Sequence, residues 1–332
     1  MHTISLGILL RGAALFLTAT IFTNCNQHIA ANTESVLNTD TVKKSKGLAN
    51  NYPKDISIEN DPDVLYVEKF DDEISNIVSR YSDVYNAAGM SLDSDDVVDL
   101  PESKSLRMTN KGGQNTGGHL FKSFHSGLDS VIYFRYYIKY PSISKGFIHH
   151  QGIWFGGYNP VSDFPNPRAG ICGLGNSRIS IAYEPVNDRM GSYVYWGDMQ
   201  SAPDGNCWGN DMVNGGLYFQ NINWDKWTCV EIMIKLNNPV SSSNGELRIW
   251  QDGLEVGHWG PGFPTGNMEH GKFTAHANAE PFKGFRWRTD ENLGINYIWI
   301  EFYDDKSPVD VSHYIKFDNL VVARKYIGPI KK

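Results

Sequence analysis

Val131-Ile-Tyr-Phe-Arg-Tyr-Tyr-Ile-Lys-Tyr140 is the stretch on which the reading of this chain turns. Successive side chains of a strand point to opposite faces, so Ile132, Phe134, Tyr136 and Ile138 share one side while Tyr133, Arg135, Tyr137 and Lys139 share the other. One face is apolar, the other aromatic and basic. The division returns at Val230, Ile232, Ile234 and Leu236 against Glu231, Met233 and Lys235, then at Leu247 and Ile249 against Arg248 and Trp250. It returns once more over 297–303, where Ile298, Ile300 and Phe302 oppose Tyr297, Trp299, Glu301 and Tyr303. Strands with one apolar and one polar face belong to two antiparallel sheets packed together, each with its outer face in water. The chain is therefore expected to be all-β, a jelly-roll β-sandwich of two antiparallel sheets. A short helix is expected only within 71–88, where Ile74, Ile77, Val78 and Tyr81 fall at helical spacing.

Composition agrees with this pattern. Aromatic residues make up 13% of the 332 residues and there are 32 glycines, a mixture that suits sheets joined by tight turns better than a helical bundle. The apolar run from Ile4 to Phe22 is too short for an anchored membrane span and reads, with Arg11 inside it, as a signal peptide over 1–25. Cys25 stands where a lipoprotein signal would place its lipid-accepting cysteine; the alternative is cleavage a few residues later, near Ala30-Ala31. A secreted, periplasmic or outer-surface location, with or without a lipid anchor, is the expectation. Residues 26–61 are polar and lack apolar periodicity, so they read as a flexible linker before a single domain over 62–332.

An oxidising compartment favours one disulfide, assigned to Cys172 and Cys207, because Cys229 lies in the apolar pattern of a strand. The formal charge of −7, with no long Lys/Arg stripe to offset it, excludes a general nucleic-acid binder. An acidic polysaccharide remains a fitting partner if a groove is locally basic. Asp71, Asp72 and Asp318 are candidates for a structural calcium site, although no loop shows a ligand spacing; no other cofactor is expected.

Aromatic side chains repeated on outward strand faces mark a binding surface, and sugar rings offer C–H faces that stack on Tyr and Trp. The densest run of reactive types is Lys145-Gly-Phe-Ile-His-His-Gln-Gly-Ile-Trp-Phe-Gly-Gly157. On a strand His149 and Gln151 would share one face, with His150 and Trp154 on the other. A second cluster holds Arg178 and Ser180, then Tyr193 and Tyr195, whose hydroxyls would converge on one groove. Imidazole, amide, phenol and guanidinium together suit β-elimination on a uronate glycan. A base takes the proton α to the carboxylate, a donor neutralises that carboxylate, and an acid protonates the leaving oxygen.

The order Lys-Gly, a Gly-Gly turn, a Ser-containing strand and Tyr193-x-Tyr195 resembles the jelly-roll lyases of polysaccharide lyase family 14 and, more loosely, the glucuronan lyases. Asn244-Gly-Glu-Leu-Arg-Ile-Trp-Gln-Asp-Gly253 and Phe317-Asp-Asn-Leu-Val-Val-Ala323 resemble strands shared by concanavalin-like sandwiches, so the likeness spans roughly residues 105 to 330. It implies a long groove across a concave sheet, with Lys145, Tyr193 and Tyr195 as the basic and phenolic catalytic groups. Where the family has Ser-x-Arg, this sequence has Ser180-Ile181-Ala182, with Arg178 two residues before the serine. His149, His150 and Gln151 also replace a more apolar stretch.

The expected function is a polysaccharide lyase acting on an acidic glycan by metal-independent β-elimination. Tyr193 or Tyr195 would transfer the proton, His149 or Lys145 would be its partner, and Gln151 or Arg178 would neutralise the carboxylate. Arg135, Tyr137, His150, Ser180 and Trp299 would bind substrate. Two alternatives remain open: a noncatalytic carbohydrate-binding protein, and a glycoside hydrolase of the same sandwich class using Glu184 and Glu301.

Overall fold

The Val131–Lys139 strand carries Ile132, Phe134, Tyr136 and Ile138 fully buried, as its alternation demands. The computed structural model describes residues 46–331 apart from 99–102, 115–116, 148, 187–188 and 215–219. The signal peptide, Cys25 and the linker up to residue 45 lie outside the described residues.

Two sheets face each other. In the first, the strands run Leu254–Trp259, Glu246–Gln251, Trp227–Lys235, Val131–Lys139, Ser312–Ala323, Ser105–Lys111 and Met90–Asp93, all antiparallel. Val64–Glu68 pairs with the far end of Ser312–Ala323. The second runs Gly266–Glu269, Lys272–Ala275, Asn210–Asn214, Arg189–Tyr195, Arg178–Val186, His150–Tyr158, Tyr297–Tyr303, Gly117–Ser123 and Asp83–Tyr85. Its pairs are antiparallel except Asn210–Asn214 with Lys272–Ala275. The fold is the expected jelly-roll sandwich.

The core fills the space between the sheets. Phe134 from the first and Phe155 from the second stack with centroids 3.8 Å apart, and Ile232, Ile298, Ile300 and Phe302 are buried around them. The helix expected within 71–88 is a short one, Ile74–Ser79, and the chain then extends into the Asp83–Tyr85 edge strand.

Part of the outer face of the first sheet, around Tyr133, Arg135, Tyr137 and Glu231, is not open to water. Residues 46–60, expected as flexible linker, form three short 3-10 turns that pack across it. Ala49, Ile58, Val321, Ala323 and Ile327 make a second, smaller core there, with Tyr133 against it. Arg135 is fully buried in an ion pair with Asp55. The Tyr137 hydroxyl accepts a hydrogen bond from the Ile330 amide at 2.8 Å. Glu231 accepts from the Ile327 and Gly328 amides at 2.6 and 2.8 Å, and burial pushes its carboxyl up to about 7. The folded chain thus starts at least as early as residue 46 rather than at 62. Arg135 and Tyr137, expected to bind substrate, belong to this covered layer, because residues 46–60 and 327–330 fold over the face that carries them.

Cys172 and Cys207 form the expected disulfide, and Cys229 is a buried free thiol. Asp72 pairs with Arg80 and Asn76, Asp71 accepts from the Lys104 amide, and Asp318 accepts from the Val98 amide. Among the described residues no group of three or more His, Cys, Asp or Glu is arranged to hold a metal ion.

Candidate functional site

The outer face of the second sheet holds a groove of about 610 Å3. Four neighbouring strands supply its floor, and strand alternation decides which residues reach it. From His150–Tyr158 come His150 and Trp154; from Arg178–Val186, Arg178; from Arg189–Tyr195, Tyr193 and Tyr195; from Tyr297–Tyr303, Trp299, Glu301 and Tyr303. His149, just before its strand, completes the floor, and Pro167, Ala169 and Trp208 form a wall from two loops.

The aromatic rings lock one another. Trp154 meets Tyr193 edge-on at 5.8 Å, Trp299 at 6.3 Å and Tyr195 at 6.4 Å, while Tyr193 and Tyr195 meet edge-on at 5.8 Å. Burial raises both phenols above the ordinary tyrosine value, so each holds its proton at neutral pH. Arg178 lies beneath Tyr195 with its guanidinium carbon 3.5 Å from the ring centroid. It is only 2% exposed, and its Nε donates to the Ser180 hydroxyl at 2.9 Å. That hydroxyl also bonds the hydroxyl of Tyr297. Ser180 is fully buried and props the guanidinium rather than facing substrate, which corrects its expected binding role.

Glycine at 152 brings the acidic groups together. Gly152 pairs with Glu301 on one side, and a Cβ there would stand 3.6 Å from that of Glu184 on the other. Neither neighbour meets a side chain between them. His150 Nδ1 lies 2.8 Å from Glu184 Oε1. Burial opposes the imidazolium, but the Glu184 carboxylate outweighs it and raises His150 to about 9. Glu301 goes the other way in charge: burial, with Glu184 adding to it against His150 and Arg178, raises its carboxyl to about 8. At pH 7 the groove therefore presents a cationic His150 and a neutral, proton-bearing Glu301.

His149 stacks on His150 with centroids 4.5 Å apart, and its Nδ1 bonds Asp305 Oδ1 at 2.9 Å. In the neutral ring a carboxylate acceptor places the proton on Nδ1 and leaves Nε2 with its lone pair. Both histidines thus reach the groove, whereas Gln151 does not. It is fully buried on the core face with Ile153 and Phe155, and its amide donates to the Phe147 carbonyl at 3.4 Å. The period-two count starts at His150, the first residue of the strand, so His149 and Gln151 are not on one face. Lys145 is exposed on the turn after Ser142–Ser144 and is absent from the groove lining. The chain reverses there through Gly146 at φ +88°, before the strand begins.

Sequence reasoning brought His149, His150, Arg178, Tyr193, Tyr195 and Trp299 to one place. It assigned no role to Trp208, Tyr303 or Asp305, and it weighed Glu184 only as a hydrolase carboxylate with Glu301, not as the partner of His150. The position of Trp208 beside Cys207 was the one available signal for the loop wall.

No family model matches the sequence, and no curated protein matches it. Solved structures do. A mutant of the alginate lyase Aly36B, in complex with an alginate tetrasaccharide, is 15% identical over 80% of this chain and 95% of that one, with a TM-score of 0.49. The alginate lyase vAL-1 from Chlorella virus is 17% identical over 79% and 100%, with a TM-score of 0.47. An endo-beta-1,4-glucuronan lyase from the fungus Trichoderma reesei is 12% identical over 78% and 95%, with a TM-score of 0.43. At these identities and scores the likeness says nothing of the chemistry of the groove.

Proposed function

We propose that the protein is a polysaccharide lyase that cleaves a uronate-containing glycan by metal-independent β-elimination. One observation carries the reading. Arg178 is a buried cation in the lining of the groove that makes no ion pair among the described residues, and its Nη1, itself buried, has no hydrogen-bond partner among them. Burying an unpaired charge costs several kcal/mol. The other buried guanidinium, Arg135, has its carboxylate in Asp55. A planar fork of donors matches a carboxylate, and the carboxylate of a uronate would supply the missing partner.

The remaining groups then have work to do. With the uronate carboxylate held by Arg178 and hydrogen-bonded by neutral Glu301 and cationic His150, negative charge developing on the α-carbon is stabilised. His149 Nε2 takes the α-proton. The electron pair left behind forms the C4–C5 double bond and expels the glycosidic oxygen from C4. Tyr193, the more exposed of the two phenols, donates its proton to that oxygen and is restored by exchange with water; Tyr195 stays pinned over Arg178. Glu184, the other carboxylate, is engaged by His150, which argues against its use as the nucleophile or base of a hydrolase.

Replacing Tyr193 by Phe removes the proton donor and keeps the ring packing. The variant is expected to retain glycan affinity within about twofold and to lose at least 100-fold in kcat, within the usual contribution of one general acid or base. Equal turnover in the two proteins would remove Tyr193 from the mechanism.

A further inference from the structure

Residues 159–177 and 196–209 are two loops without regular strands that meet beside the groove. They are fastened three times: by Cys172–Cys207, and by reciprocal Gly170 and Cys207 backbone hydrogen bonds of 3.1 Å. Trp208 follows directly. Its Nε1 donates to Asp204 Oδ2 at 2.8 Å, and its ring lies over Gly170, where a Cβ would stand 3.3 Å from the indole. The indole is nonetheless 44% exposed and lines the groove. A large apolar ring that is immobilised yet left bare is arranged for a partner. Gly209, the next residue, sits against Tyr193 so closely that a Cβ would approach its ring within 2.4 Å.

We propose that the disulfide-clamped loops form a rigid wall that presents Trp208 as a stacking platform for a pyranose ring next to the bond being cleaved. Trp208 is then a substrate-binding residue, and the Cys172–Cys207 bridge is the device that positions it. The proposal rests on the groove being a glycan site and adds the residue that sets how the chain is gripped. An indole face accepts the C–H face of a sugar whether or not that sugar bears a carboxylate, so Trp208 serves chain binding while Arg178 serves the acidic group.

The test uses the full chain with glucuronan, alginate and neutral cellulose oligosaccharides, measured by calorimetric titration and by turnover. Trp208→Ala is expected to weaken binding of the preferred oligosaccharide about tenfold, equivalent to ~1.4 kcal/mol, and to raise KM more than it lowers kcat. Trp208→Phe is expected to recover most of the loss. Removing the clamp with Cys172→Ser/Cys207→Ser should weaken binding comparably, with little further loss when Trp208→Ala is added, because both act through one contact. Affinity within twofold of wild type in Trp208→Ala overturns the platform, and additive losses overturn the role of the clamp. Trp208-dependent binding without unsaturated product sinks the lyase reading and keeps the platform. Cleavage with unchanged affinity in Trp208→Ala does the reverse. Wild type that binds none of the three sugars overturns both.

Discussion

Glu184→Gln isolates the charge on His150. The substitution keeps the volume and an acceptor oxygen for Nδ1 but removes the carboxylate 2.8 Å away. Burial and Lys306 then oppose the imidazolium with only Glu301 favouring it, so its value is expected to fall from about 9 toward the ordinary 6.5. A histidine held at about 9 in the fold against 6.5 unfolded contributes about 3 kcal/mol, at 1.36 kcal/mol for each tenfold change in proton affinity. Because the folded value is the higher one, that stability is fully present below pH 6.5 and is lost as pH rises through 9. Glu301, raised to about 8, also makes the fold less stable with rising pH above the ordinary carboxyl range, so wild type alone does not separate the two. The comparison with Glu184→Gln does. Denaturant unfolding should show the variant less stable by about 3 kcal/mol at pH 6 and by much less at pH 10. Titration of the histidine ring resonances by NMR should show one imidazole moving from about 9 toward 6.5. A wild-type His150 that titrates at 6.5 or lower, or a stability gap independent of pH, would refute the pairing.

Two further substitutions probe the two buried arginines. Arg178→Met replaces an unpaired buried cation by an apolar chain of similar length, so stability should hold or rise by ~1 kcal/mol or more while uronate binding is lost; lower stability with binding intact would contradict the role given to Arg178. Asp55→Asn strips the counter-ion from Arg135 and should cost about 3–5 kcal/mol in denaturant unfolding. Limited proteolysis should then cut sooner within 46–60, and unaltered stability together with an unaltered cleavage rate would show that this segment is not held by the pair.

Much of the sandwich was legible because burial on one face leaves a strict record. Ile132, Phe134, Tyr136 and Ile138 could be placed without any knowledge of their neighbours, and Cys172–Cys207 followed from the strand context of Cys229. What covers the other face leaves no such record. Tyr133, Arg135 and Tyr137 alternate just as Tyr297, Trp299 and Glu301 do, yet the first set is roofed over and the second lines or underlies the groove. The roof is 46–60, polar and aperiodic, seated through Ala49, Ile58 and the single carboxylate of Asp55. A one-residue matter decided Gln151: alternation predicts faces only once the first strand residue is known, and that residue is His150. The Glu184–His150 contact joins residues 34 apart in sequence, and the wall under Trp208 depends on a crosslink between loops. Such pairings come from topology, which local pattern does not encode.

The central claim is elimination at a uronate. It is tested most directly by incubating the protein with glucuronan and alginate while following ultraviolet absorbance and reducing ends in the same sample. Elimination leaves a double bond conjugated to the carboxylate at each new non-reducing end. Absorbance and reducing ends should therefore rise together in equal numbers on at least one of these glycans or another polyuronate. Reducing ends without absorbance would mean hydrolysis, and neither signal on any acidic glycan would mean that the groove binds without cutting; each contradicts the account.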